Sequence, residues 1–168
     1  MKSKFNLLLV EENLHLASVL EQTLKTDFNI TVAATGNEAV RLLVGGNQFD
    51  FIISELELTH FSGLKLVKLI RTSMLLRHIP ILILSGSTES DTRITCLEEG
   101  ADGCITKPFN PLEVKAKLHA MLRRTKTQVF QAETPTVPEH FDKEFGKLNV
   151  LRSRLSSILR GYSTTVGA

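Results

Sequence analysis

The sequence predicts a doubly wound α/β fold built on a five-stranded parallel sheet. Three observations carry this reading. Five short apolar runs alternate with five stretches of helical periodicity. The connections between them are short. Runs such as Phe51–Ser54 and Ile81–Leu84 are almost continuously apolar, as strands covered on both faces must be.

The elements follow in order. Phe5–Val10 reads as a first strand, and Leu14–Lys25 as a helix with Leu16, Val19, Leu20 and Leu24 on one stripe and Asn13 as cap. Ile30–Ala34 is a second strand. Gly36–Val44 is a helix presenting Ala39, Val40, Leu42 and Leu43, closed by Gly45-Gly46. Phe51–Ser54 is the third strand. A helix over Gly63–Leu76 offers Leu64, Val67, Leu69, Ile70 and Met74. Ile81–Leu84 is the fourth strand, Thr88–Glu99 a more polar helix closed by Gly100, and Gly103–Thr106 the fifth strand. Asn110 and Pro111 open a last helix running to about Arg124, with Leu112, Val114, Ala116, Leu118, Met121 and Leu122 as its apolar positions.

Right-handed crossovers give such a chain the flavodoxin-like strand order 2-1-3-4-5, in which sites sit at the carboxyl ends of the strands. Glu11, Glu12 and Glu55 then converge at the switch point between strands one and three. Ser85 and Lys107 arrive from strands four and five.

Residues 1–124 account for this domain. Residues 125–138, with two prolines and few strong apolar side chains, read as a linker. Residues 139–162 regain helical character as a C-terminal extension. Leu148, Leu151, Leu155, Ile158 and Tyr162 follow at spacings of three and four and draw one apolar seam. The small polar end, 163–168, reads as a flexible tail.

Composition excludes several classes. Apolar and charged contents of 42% and 23% are those of an ordinary globular protein, and a net charge of +2 gives no bulk argument for nucleic acid or membrane. The N-terminal apolar run is too short for a signal peptide or a membrane span, so the expected compartment is the cytoplasm. Cys96 and Cys104 are too few for a disulfide framework and read as small core residues. His15, His60, His78, His119 and His140 lack metal-ligand spacing. No nucleophile–base pair, glycine-rich phosphate loop or zinc motif appears, which argues against an enzyme.

The ordered set of residues at the strand ends resembles the receiver domain of bacterial response regulators, the CheY-like module of two-component signalling. Its elements here are Glu11-Glu12 after strand one, Glu55 after strand three with Gly63 eight residues on, Ser85 after strand four, and Lys107-Pro108-Phe109 after strand five. The resemblance spans roughly residues 4–124. It implies that the acidic pair and an aspartate after strand three hold Mg²⁺. That aspartate takes a phosphoryl group from a histidine kinase, and the hydroxyl and lysine bind the new phosphate.

Against that pattern, Glu55 stands in the place of the aspartate, Thr59 in that of a proline, and Cys104 in that of the aromatic residue that reports activation. The added methylene carries the carboxylate outward by about 1.5 Å. A displacement of about 1 Å can cost in-line transfer about 100-fold. The expectation is a receiver that is not phosphorylated, with Glu55 reaching toward Lys107 and Ser85 to set a fixed conformation. No cofactor is called for, because three glutamates crowd a site built for small octahedral Mg²⁺; Glu11, Glu12 and Glu55 are the ligand candidates should one bind.

The leading functional reading is therefore a phosphorylation-independent receiver acting through contacts with another signalling protein or with itself as a homodimer. The resemblance implies the face of helix four, strand five and helix five as its surface. The Leu148–Tyr162 seam has three open readings: packing on its own domain, self-association, or docking on another protein. The alternative function is a DNA-binding transcriptional response regulator with a short or truncated output region. Arg152, Arg154 and Arg160 make only a thin phosphate footprint, so nucleic acid is not expected from this chain alone.

Overall fold

A computed structural model of the protein describes residues 4–130. The elements are β1 (Phe5–Val10), α1 (Leu14–Leu24), β2 (Phe28–Ala33), α2 (Gly36–Val44), β3 (Phe51–Glu55), α3 (Gly63–Thr72), β4 (Ile81–Ser85), α4 (Ser90–Glu98), β5 (Gly103–Thr106) and α5 (Pro111–Phe130). All strand pairs are parallel, in the order β2-β1-β3-β4-β5. The expected doubly wound flavodoxin-like sheet is the one that forms.

Strand alternation divides the core into two layers. Leu8, Val10, Ile52, Ile81 and Ile83 face α2, α3 and α4, where they meet Ala39, Leu43, Leu66, Val67, Ile70 and Cys96. Leu7, Leu9, Phe51, Ile53, Leu82, Leu84 and Ile105 face α1 and α5, against Ala17, Leu20, Leu24, Val114, Leu118 and Met121. Both faces are dry, which is why the sequence shows no polar alternation in the central strands.

Local chemistry sets the helix starts. The Asn13 side chain accepts from the Leu16 N–H at 3.1 Å, Thr35 from Glu38 at 3.2 Å, Ser62 from Leu64 at 3.2 Å and Asn110 from Leu112 at 2.9 Å. Gly63 opens α3 because a Cβ there would fall 2.4 Å from the Glu55 carbonyl oxygen. The close approach of α3 to the end of β3 therefore requires glycine.

Four expectations are corrected. First, α3 ends at Thr72 rather than Leu76, with Ser73 already extended. The Arg71 guanidinium takes the carbonyls of Arg77 and Ile79, each at 2.9 Å, and its Nε donates to Gly100 O at 2.7 Å. This fork holds 73–79 as a turn, and Met74, expected on the buried stripe, is 77% exposed. Second, Leu112 and Ala116 are exposed. They lie two residues from Val114 and Leu118, which places them on the opposite side of a 3.6-residue helix. Third, β2 starts at Phe28 and stops at Ala33, because the Ala34 N–H turns to the Glu38 carboxylate at 2.9 Å. Fourth, α4 begins at Ser90, two residues late, and α5 continues to Phe130. The linker beyond Phe130, the extension 139–162 and its seam of Leu148, Leu151, Leu155, Ile158 and Tyr162 lie outside the described residues.

Candidate functional site: the carboxyl edge of the sheet

Three of the expected side chains meet at the carboxyl ends of the strands. β3 delivers Glu55, the turn after β1 delivers Glu11, and the residue after β5 is Lys107, whose peptide bond to Pro108 is cis. Lys107 Nζ lies 2.6 Å from Glu55 Oε1 and 3.2 Å from Glu11 Oε2. The Lys107 N–H also donates to Ser85 O at 2.7 Å, which ties the strand-five loop to the end of β4. One ammonium thus bridges two carboxylates.

The three groups differ in burial. Glu11 is fully buried, while the Glu55 and Lys107 side chains keep partial access to solvent. Burial pushes the Glu11 carboxyl up to about 7, helped by its hydrogen bond with Glu55 and by the Glu55 charge. The Asn13 N–H at 2.9 Å and the Lys107 charge pull the other way and do not prevail. For Lys107, burial works against the charged form, but bonding to Glu55 and Glu11 outweighs it and its pKa is raised. An ammonium held by two carboxylates stays protonated, and the buried carboxylate of the two takes up a proton near neutrality.

The remaining expected residues are placed elsewhere. Glu12 does not join the cluster. Its Oε1 accepts the Thr59 N–H at 2.7 Å and its Oε2 the Thr59 hydroxyl at 2.6 Å. Ser85 is buried, but its hydroxyl accepts the Ser87 N–H at 3.1 Å and so shapes the loop after β4. The expected reach of Glu55 thus ends at Lys107. Cys104 lies half-buried on β5 against Cys96 of α4, and burial raises both thiols, Cys96 to about 11. Burial of this kind makes a thiol inert.

Sequence reasoning missed two partners, the Asn13 backbone as a donor to Glu11 and Thr59 as the partner of Glu12. In the sequence Asn13 reads only as a helix cap. The composition of the β3–α3 connection gives no signal for the Thr59 contact, which spans 47 positions.

The family model for the response regulator receiver domain matches residues 7–119. The chain belongs to the response-regulator receiver family. The receiver is 37% identical over 122 residues to the cell cycle transcriptional regulator CtrA of Caulobacter vibrioides, covering 71% of this chain and 51% of that protein. It is 35% identical to the cell cycle response regulator CtrA of Brucella ovis, covering 71% and 50%. The chain thus spans about half the length of these curated relatives. Among solved structures, the receiver domain of Francisella response regulator 1452 is 25% identical with a TM-score of 0.67, covering 73% of this chain and 99% of that one. The chemotaxis response regulator CheY4 of Vibrio cholerae is 27% identical with a TM-score of 0.65, covering 70% and 98%.

The family implies a magnesium ion at this edge, and the donor set does not fit one. Mg²⁺ demands near-ideal octahedral oxygen coordination at about 2.0–2.1 Å. Both Glu12 oxygens are engaged by Thr59, and the Glu11 oxygens by Asn13 and Lys107. The Lys107 ammonium already supplies positive charge to Glu11 and Glu55. Among the described residues no group of three or more His, Cys, Asp or Glu is arranged to hold a metal ion. No helix among them is long and apolar enough to cross a membrane.

Proposed function

We propose that this receiver signals without being phosphorylated, because its own glutamate occupies the place of the phosphoryl group. Glu55 stands at the end of β3, the position of the phosphoacceptor aspartate in receivers. The observation that carries the reading is the 2.6 Å contact between Glu55 Oε1 and Lys107 Nζ. In a receiver that lysine binds the phosphate; here a carboxylate is already bonded to it, and a second one, Glu11, shares it at 3.2 Å. A charge-assisted bond at this distance is among the stronger single contacts a side chain makes. The extra methylene of glutamate supplies the reach. The switch is thereby set in one state, and with Cys104 in the reporting position no aromatic ring is there to swing.

Such a module works by protein contact rather than catalysis. The surface we assign to it is the face of α4, β5 and α5, where Ile94 and Leu97 of α4 are 50% and 48% exposed. The partner is another signalling protein or a second copy, and the site of action is the cytoplasm. The deciding experiment is incubation with acetyl phosphate and Mg²⁺ followed by intact-mass measurement. The expected result is no added phosphoryl group; stoichiometric labelling at Glu55 overturns the reading.

A second reading is favoured by one observation: the Caulobacter vibrioides relative is a transcriptional regulator about twice the length this chain matches. On that reading this receiver governs a DNA-binding output region. A salt-sensitive gel shift with mixed duplex DNA supports it, and unshifted DNA at every salt concentration counts against it.

A further inference from the structure

Glu12 stands beside the lysine cluster and takes no part in it. Its two carboxylate oxygens both turn to one residue, Thr59, accepting the backbone N–H at 2.7 Å and the hydroxyl at 2.6 Å. These are charge-assisted bonds between two loops far apart in sequence, the turn after β1 and the connection from β3 to α3.

The connection they hold is a tight turn. The Phe61 N–H donates to Leu58 O at 3.4 Å, which makes Thr59 and His60 the central pair. His60 sits at φ 63, a left-handed conformation that a turn of this shape normally gives to glycine. A non-glycine residue there is strained and persists only where its surroundings hold it. Both flanks of His60 are held. On one side is the Glu12–Thr59 pair. On the other, Phe61 lies against the first residue of α2, so closely that a Cβ on Gly36 would fall 2.3 Å from its ring.

We propose that Glu12 is a positioning residue: it tethers the Leu58–Phe61 turn through Thr59 and so presents His60 in one fixed pose at the carboxyl edge, in place of ligating a cation. The inference rests on the proposed function and deepens it. The Lys107 cluster sets the interior of the edge, and the Glu12 tether sets the loop above it. The tether has consequences of its own. The turn is ordered without metal, and divalent cations leave it unchanged.

Hydrogen exchange on the full chain, resolved by peptide or residue, tests this. In Glu12→Ala the amides of Thr59, His60 and Phe61 should exchange at least about tenfold faster, while the β1 amides Leu7–Val10 keep their protection. Glu12→Gln retains an oxygen for the Thr59 N–H and should restore part of the loss. Adding MgCl₂ to the unaltered protein should change none of these rates. Unaltered exchange of the turn in Glu12→Ala overturns the proposal, as does new protection of residues 59–61 on adding MgCl₂. Should Glu12→Ala loosen the whole domain, Thr59→Val decides: it removes only the hydroxyl bond and should speed exchange of the turn alone, and a turn as slow as in the unaltered protein sinks the tether. Phosphoryl labelling of Glu55 by acetyl phosphate would remove the proposed function and leave the tether to be judged on the exchange rates.

Discussion

The two edges of the same sheet hold their acids in opposite ways. At the carboxyl edge, Glu11 is fully buried beside Lys107 and its pKa is pushed up. At the amino edge, Asp27 follows α1, stays partly exposed, and pairs with Lys115 at 2.8 Å and His119 at 3.2 Å. The Lys115 bond leads in pulling its pKa down; burial is the next largest influence and opposes it without prevailing. Each acid has a basic partner within bonding distance, yet the shifts have opposite signs. Desolvation decides the first case, and the partner decides the second. A salt bridge therefore says little until the burial of each member is known.

The largest expected effect comes from removing the shared ammonium. Lys107→Ala leaves Glu11 buried and Glu55 half-buried with no counter-charge. It should lower unfolding stability by on the order of 3 kcal/mol in urea melts. Lys115→Ala at the amino edge should cost less than about 1 kcal/mol in the same measurement. Equal costs would erase the contrast between the edges.

Next in size is Gly63→Ala. The new methyl group would meet the Glu55 carbonyl oxygen and Leu56 Cα, at 2.4 and 3.0 Å, and neither can yield without moving backbone. A loss of about 2–3 kcal/mol is expected from overpacking of this kind. Gly86, where the nearest neighbour is the tip of the Glu57 side chain at 3.2 Å, should accept alanine with a much smaller loss. A thermal denaturation pair separates the two.

The most specific effect is on the pH dependence of stability. Glu11 is raised from its ordinary value of 4.5 to about 7 on folding. Between those values the native state binds more protons than the unfolded chain. Its contribution is therefore whole below pH 4.5 and is lost as pH climbs through about 7. Asp27 has the reverse sign: its pKa is lowered, so its contribution is present above its ordinary 3.8 and fades as pH falls through the lowered value. Stability measured against pH should thus flatten between pH 5 and 7 in Glu11→Gln, while Asp27→Asn flattens only the acid limb. A slope between pH 5 and 7 that survives Glu11→Gln would mean another group is titrating there.

How much was legible beforehand differs between the edges too. The meeting of Glu11, Glu55 and Lys107 could be read because each ends an apolar run, and strand order carries run ends to one edge. The partners of Glu12 and Ser85 could not. Glu12 and Glu11 are neighbours of identical chemistry, and only the path of the β3–α3 connection sends one to Lys107 and the other to Thr59. The end of α3 is hidden from the sequence for the same reason. Met74 continues a helical stripe perfectly well, and the stripe is overruled by the Arg71 fork onto Arg77, Ile79 and Gly100.

From the chain alone came the class of the fold, the order of its strands and the edge where charge collects, since period, run length and turn residues are local properties that survive without tertiary context. What the folded molecule decided was which carboxylate touches which donor, which acid stays dry enough to hold a proton near neutrality, and which face of α5 is wet. Those depend on distances of a few ångströms between residues up to 96 positions apart, and no local pattern encodes them.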